Sequence, residues 1–172
     1  MNRLIVGLLF TSTVFIASFV LNATTVYGLE GEPAEQFVLN GLKSVHVTVS
    51  PMPKLNLSPS SIKNSVESKL VKSGMKLIGE KEFLNYTDVD QLLVKVIPFK
   101  HKKQVFYSLS ISLTQMVFFE NKADRRISVT SWQDQSVGLV DTKTEDQIEI
   151  KIMERLDKFI NTWQRANGIE TK

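Results

Sequence analysis

Residues 107–115, YSLSISLTQ, alternate without a break, so an extended chain puts Tyr107, Leu109, Ile111 and Leu113 on one side and Ser108, Ser110, Ser112 and Thr114 on the other. A second segment follows the same rule, with Leu92, Val94 and Val96 alternating with Leu93, Lys95 and Ile97. The break KHKK, residues 100–103, joins the two segments as a hairpin. Closing it with Phe99 opposite Gln104 sets Val96 against Tyr107, Val94 against Leu109, Leu92 against Ile111, and Lys95 against Ser108. The parities of the two strands agree, whereas a one-residue slip would oppose apolar to polar along the ladder. An earlier strand, SVHVTV, places Val45, Val47 and Val49 against His46, Thr48 and Ser50, and Pro51 and Pro53 stop it. After a second break, ENKADR, the segment ISVTSWQDQSVGLV is ambiguous. Ile127 and Val129 set one parity and Trp132 the other, and a bulge near Gly138 would reconcile them.

Two stretches carry the helical period instead. Ser58 caps a helix with Pro59 in its first turn, Ile62, Val66 and Leu70 on one face, Lys69 and Lys72 near its end, and Gly74 as the stop. Residues 143–166 form the last helix, with Ile148, Ile152, Leu156, Phe159, Ile160 and Trp163 as its apolar stripe. MKLIGE, residues 75–80, offers one more short strand, and residues 29–42 read as a linker or loose lead-in. The pattern predicts an α+β fold: a two-layer sandwich in the order β-α-(β)-β-β-β-α, with a mostly antiparallel sheet and two helices on one face. One domain then spans 43–168, followed by a tail at 169–172. The serine side of the sheet becomes its outer side, and the same parity carries Leu93, Ile97, Phe106, Met116 and Phe118. Either these groups form a contact surface, or the lead-in or a bend of the long strand covers them.

Composition changes this picture little. A chain of 172 residues with 42% hydrophobic content can build a packed core. A net charge of +3 is too small to point to nucleic acid. Absent cysteine excludes disulfides, thiolate metal sites, cysteine nucleophiles and a lipid-bearing cysteine. The amino terminus adds more: Arg3 precedes an uncharged apolar run from Leu4 to Leu21, and Val26-Tyr27-Gly28 suits signal peptidase. The expectation is a signal peptide over 1–28 and a periplasmic or secreted domain, with an uncleaved inner-membrane anchor as the alternative. Lack of cysteine in an oxidising compartment favours the periplasm.

Candidate chemistry is sparse. His46 and His101 are the two histidines, and no catalytic or phosphate-binding motif accompanies them. His46 beside a strand serine would imitate a nucleophile pair, yet it would need an orienting acid and an oxyanion hole. Asp88 and Asp90, with Asp124 folded nearby, would offer carboxylates to a hard cation, against the simpler reading of a polar turn. Glu145, Asp146 and Glu149 suit the dipole at the start of the last helix. Lys100 to Lys103 and the group Lys122, Arg125 and Arg126 fall at opposite ends of a meander, each a solvated tip unless it meets acidic lipid or polysaccharide. Trp163 continues a helix stripe, whereas Trp132 suits a core edge or a contact equally. No catalytic, cofactor or metal residues are assigned. The candidate contact residues are Leu93, Ile97, Phe106, Ser108, Ser110, Ser112 and Trp132.

SWQDQSVGLV followed by IEIKIMERLDKFINTWQRANG resembles the ending of small exported bacterial proteins of unassigned function, in Trp132, Gly138, Phe159, Asn161, Ala166 and Asn167. Over residues 43–168 the layout is also similar to helix-on-sheet envelope modules such as the TolB amino-terminal domain and LptE. Lacking a lipidated cysteine, the chain departs from the latter. No catalytic residue comes with the resemblance, and the residues themselves point to an exported, non-enzymatic binding or assembly module that meets a protein, lipid or polysaccharide of the envelope through its outer sheet face or an edge strand. The alternatives are a small hydrolase or cation-dependent enzyme at His46 or Asp88 and Asp90, and a signal-anchored protein at the inner-membrane surface.

Overall fold

The computed structural model describes residues 34–86, 88–119 and 122–169. The signal peptide expected at 1–28 lies outside these residues. Among them nine elements run in chain order: α1 (Ala34–Leu39), β1 (Ser44–Val49), α2 (Pro59–Lys72), β2 (Lys76–Leu77), α3 (Glu80–Asn85), β3 (Gln91–His101), β4 (Gln104–Phe119), β5 (Lys122–Asp141) and α4 (Gln147–Ala166). The strands form one sheet in the order β2-β1-β3-β4-β5.

The fold is α+β as the pattern predicts, but the sheet is mixed rather than mostly antiparallel. β1 runs parallel to both β2 and β3, and only β3, β4 and β5 form the antiparallel meander. The cause is two helical returns, α2 between β1 and β2 and α3 between β2 and β3, each bringing the chain back to the end of the sheet where β1 began. Local signals form α2 as expected: the Ser58 hydroxyl accepts from the Ser61 N–H, and Gly74, at φ +95°, ends it in a conformation that disfavours a side chain.

The core lies between the sheet and α2 and α4. Ile62, Val66 and Leu70 from α2 and Ile148, Ile152 and Phe159 from α4 are fully buried with Val45, Val94, Leu109 and Ile111. Each such side chain stabilises the fold by roughly 1.5–3 kcal/mol through its removal from water. Residues 34–39 of the expected lead-in form α1, which packs on α4. The end of α4 fastens the chain where α1 runs toward β1. The Trp163 indole N–H donates to the Leu42 carbonyl at 2.8 Å, and Asn167 donates to the Leu39 carbonyl and accepts from the Gly41 N–H, each at 2.9 Å. Residues 34–42 therefore join the helix layer and do not cover the outer face.

The hairpin keeps its parity but shifts by two residues. Val96 lies opposite Leu109, Val94 opposite Ile111, and Phe99 opposite Phe106. The strands continue to His101 and Gln104, leaving Lys102 and Lys103 as the turn, with Lys102 at φ +54°. In β5 the extra residue is Ser131, between Thr130 (opposite Thr114) and Trp132 (opposite Leu113). This bulge, rather than one near Gly138, brings Val129 and Trp132 to the same face. Gly138 has another role: the end of the Tyr107 ring occupies the space a Cβ there would need. No helix among the described residues is long and apolar enough to cross a membrane.

Candidate contact surface

Because β3, β4 and β5 are in register, their outward residues form rows across the sheet. The row nearest the β3–β4 turn is Phe99, Phe106 and Leu139; the next is Ile97, Ser108 and Val137; then come Lys95, Ser110 and Gln135. Apolar side chains fill the first row and flank a serine in the second. All five are open to solvent, with exposure from 44% at Phe106 to 85% at Val137. Together with Ser108 they line a shallow groove of about 510 Å³. Its floor includes Gly138, whose missing side chain leaves room for the Tyr107 ring.

The sheet's outer face is not bare throughout. His46, pointing away from Val45 and Val47, stacks on Phe83 of α3 at 4.0 Å between ring centres and is 3% exposed. Its Nδ1 lies 3.0 Å from the Ile78 carbonyl and its Nε2 3.5 Å from the Glu80 carboxylate. His46, set by the alternation on the side opposite the valines of β1, is thus buried rather than solvated. The alternation gave its direction, but Phe83 is distant in sequence and sits on a six-residue helix with no side-chain cap. Glu80 also lies 3.4 Å from the Lys63 Nζ, at the border where α3 and α2 meet the sheet edge.

Of the candidate contact residues, Ile97, Phe106 and Ser108 line the groove. Ser110 and Leu93 are partly exposed on the same face, and Ser112 is nearly buried at 8%. Trp132 does not belong with them. The bulge at Ser131 turns its side chain toward the helices, where it is 5% exposed and meets Phe159 edge-on at 5.1 Å. Its indole N–H has no acceptor among the described residues. Phe99, Val137 and Leu139 were missed. Phe99 shares the outward parity of Leu93 and Ile97 but enters the sequence pattern only as the residue that closes the hairpin opposite Gln104, and the outward parity of β5 depends on the bulge. A usable signal existed in VGLV itself, where Val137 and Leu139 flank the glycine.

The charged candidates are dispersed. Lys100 is no solvated tip: it points to the helix side and pairs with Glu145 at 2.6 Å, and Glu145 also accepts from the Asn56 N–H at 2.6 Å. Burial acts to raise the Glu145 pKa, but the Lys100 and Asn56 bonds outweigh it and hold the carboxyl below its ordinary 4.5. Asp88 pairs with Arg126 at 2.7 Å, and that guanidinium also lies over the Phe118 ring. Burial raises the Asp90 pKa above 3.8, partly offset by a Gln115 hydrogen bond. Among the described residues no three His, Cys, Asp or Glu side chains gather as a metal site. Ser65 rather than the helix dipole alone engages Glu149, at 3.2 Å.

No protein-family model matches the chain, and no curated protein matches it in sequence.

Proposed function

We propose that this chain is an exported, non-enzymatic binding or assembly module that meets its partner through the outer sheet face beside the β3–β4 turn. The observation that carries the reading is the continuous apolar area of Ile97, Phe99, Phe106, Val137 and Leu139, which spans three strands and remains exposed. Such an area adds nothing to folding while it faces water, so its value lies in being covered by something else. The free edge of β5 borders the patch and extends it with main-chain donors and acceptors that a partner strand could pair. Export follows from the apolar run of residues 4–21 and its small-residue cleavage site. His46, stacked under Phe83, and Asp88, paired with Arg126, hold structural positions, which supports contact over catalysis.

The absence of cysteine allows a clean test. Ser108→Cys places a single thiol inside the groove and Lys151→Cys places one on the exposed side of α4. Under this reading the thiol at 108 reacts with a maleimide in the purified protein and is protected in intact cells, while the one at 151 reacts equally in both. Equal reactivity of position 108 in both settings would refute the reading.

A further inference from the structure

Resting on that contact reading, we infer that the partner of the apolar patch is an anionic phospholipid surface. The patch is bracketed by cations along the strand direction. Lys95 stands in the row on one side of it, and Lys102 and Lys103 form the turn on the other, with His101 exposed beside them. Among the described residues no ion pair engages Lys95, Lys102 or Lys103, in contrast to Lys100, which Glu145 holds on the opposite side. Asp141 lies on the same face opposite Gln104, where its carboxylate accepts from the Lys143 N–H at 2.9 Å, so one acid stands beside the two lysines of the turn. Lysines at both ends of an apolar strip, outnumbering the one carboxylate beside the turn, complement a negatively charged partner.

Size selects the kind of partner. Three strands and two rows span roughly 10 Å by 7 Å between backbone positions, a footprint of a few hundred Å² with side chains. A stable protein complex covers about 800 Å² on each partner. The apolar area alone is smaller than a whole protein interface of that kind. It suits shallow insertion among headgroups, where Phe, Leu, Ile and Val enter the acyl boundary while flanking lysines extend their charges to phosphates. A second copy facing this surface through a two-fold axis would bring like-charged rims together, which argues against self-association here.

The test uses the full chain with a bimane label on the thiol of Ser108→Cys, or of Val137→Cys should the first variant fail to fold. Lys151→Cys on α4 is the control. Vesicles are phosphatidylcholine alone or mixed with phosphatidylglycerol, each with or without nitroxide-bearing lipid. Because the readout belongs to the labelled position, attachment of any other part of the chain to the vesicle does not produce it. In anionic vesicles the label at 108 or 137 should shift to shorter wavelength and be quenched, while the label at 151 should not. Combining Lys102→Glu with Lys103→Glu should lower the affinity read from quenching across a lipid titration by about twenty-five-fold or more, given roughly fivefold per neutralised lysine. An unquenched label in anionic vesicles overturns the lipid assignment, as does equal quenching in neutral vesicles that ignores the lysine changes. If position 108 is protected in cells but unquenched by lipid, the contact reading stands, the lipid inference falls and a protein partner takes its place. If it is unprotected in cells as well, both fall.

Discussion

Among the described residues, the two sides of β4 differ in both chemistry and exposure. Toward the helices, Tyr107, Leu109, Ile111 and Leu113 are at most 8% exposed. Toward the outside, one residue away in each case, lie Phe106, Ser108, Ser110 and Ser112. Alternation alone makes this division, and burial then determines which side stabilises the fold. Near the β3–β4 turn the division fails: the inner side keeps Val105 and Tyr107 beside the Lys100–Glu145 pair, and the outer side becomes apolar with no layer over it among the described residues. Residues with the same chemistry thus serve two ends, one internal to folding and the other available for contact.

The largest expected effect tests that division directly. Ile111→Ala should cost about 3 kcal/mol in urea unfolding, from lost burial and the cavity left behind. Val137→Ala, an apolar truncation on the exposed side of the same sheet, should change stability by no more than about 0.5 kcal/mol. A comparable loss at both positions would erase the contrast.

Next comes the pair of the buried Glu145 with the exposed Lys100 at the edge of the helix side. Lys100→Met should cost about 2 kcal/mol near neutral pH, because Glu145 stays buried with one N–H for a partner. The native Glu145 pKa lies below 4.5, so the pair's contribution is complete above that value and disappears as pH falls through the folded pKa. Unfolding of both proteins across acid pH should show the difference shrinking. A constant difference would mean that the lysine acts through packing rather than charge.

Gly138→Ala is expected to cost about 1–2 kcal/mol, since the new Cβ must displace the end of the Tyr107 ring. Combined with Tyr107→Leu, the loss should be less than additive in a double-mutant cycle. The smallest effect has the opposite sign. Burial raises the folded pKa of Asp90, so its ionisation lowers stability as pH rises from 3.8 through the folded value. Asp90→Asn should therefore stabilise the protein by roughly 0.5 kcal/mol at neutral pH, and by less in acid.

The sequence conveyed the faces better than the layout. Parity along β3 and β4 was legible because two neighbouring strands imposed the same period. The turn between them was not: Lys102 adopts a left-handed conformation without the glycine or asparagine that marks such turns. α1 and α3 are six residues each, too short to show a periodic stripe, and their value comes from contacts with Trp163, Asn167 and His46 far along the chain. The parallel placement of β1 is likewise a long-range outcome. Half the groove could be read from Ile97, Phe106 and Ser108; Phe99 shared their parity, while Val137 and Leu139 awaited the position of the bulge.

Hydroxyl-radical footprinting of the purified protein, read residue by residue by mass spectrometry, tests the central claim most directly. Phe99 and Phe106 should oxidise rapidly, while Phe159 and Tyr107 are protected until the protein unfolds. Protection of Phe99 and Phe106 to the level of Phe159 in the isolated monomer would contradict the account, because the surface assigned to a partner would already be covered.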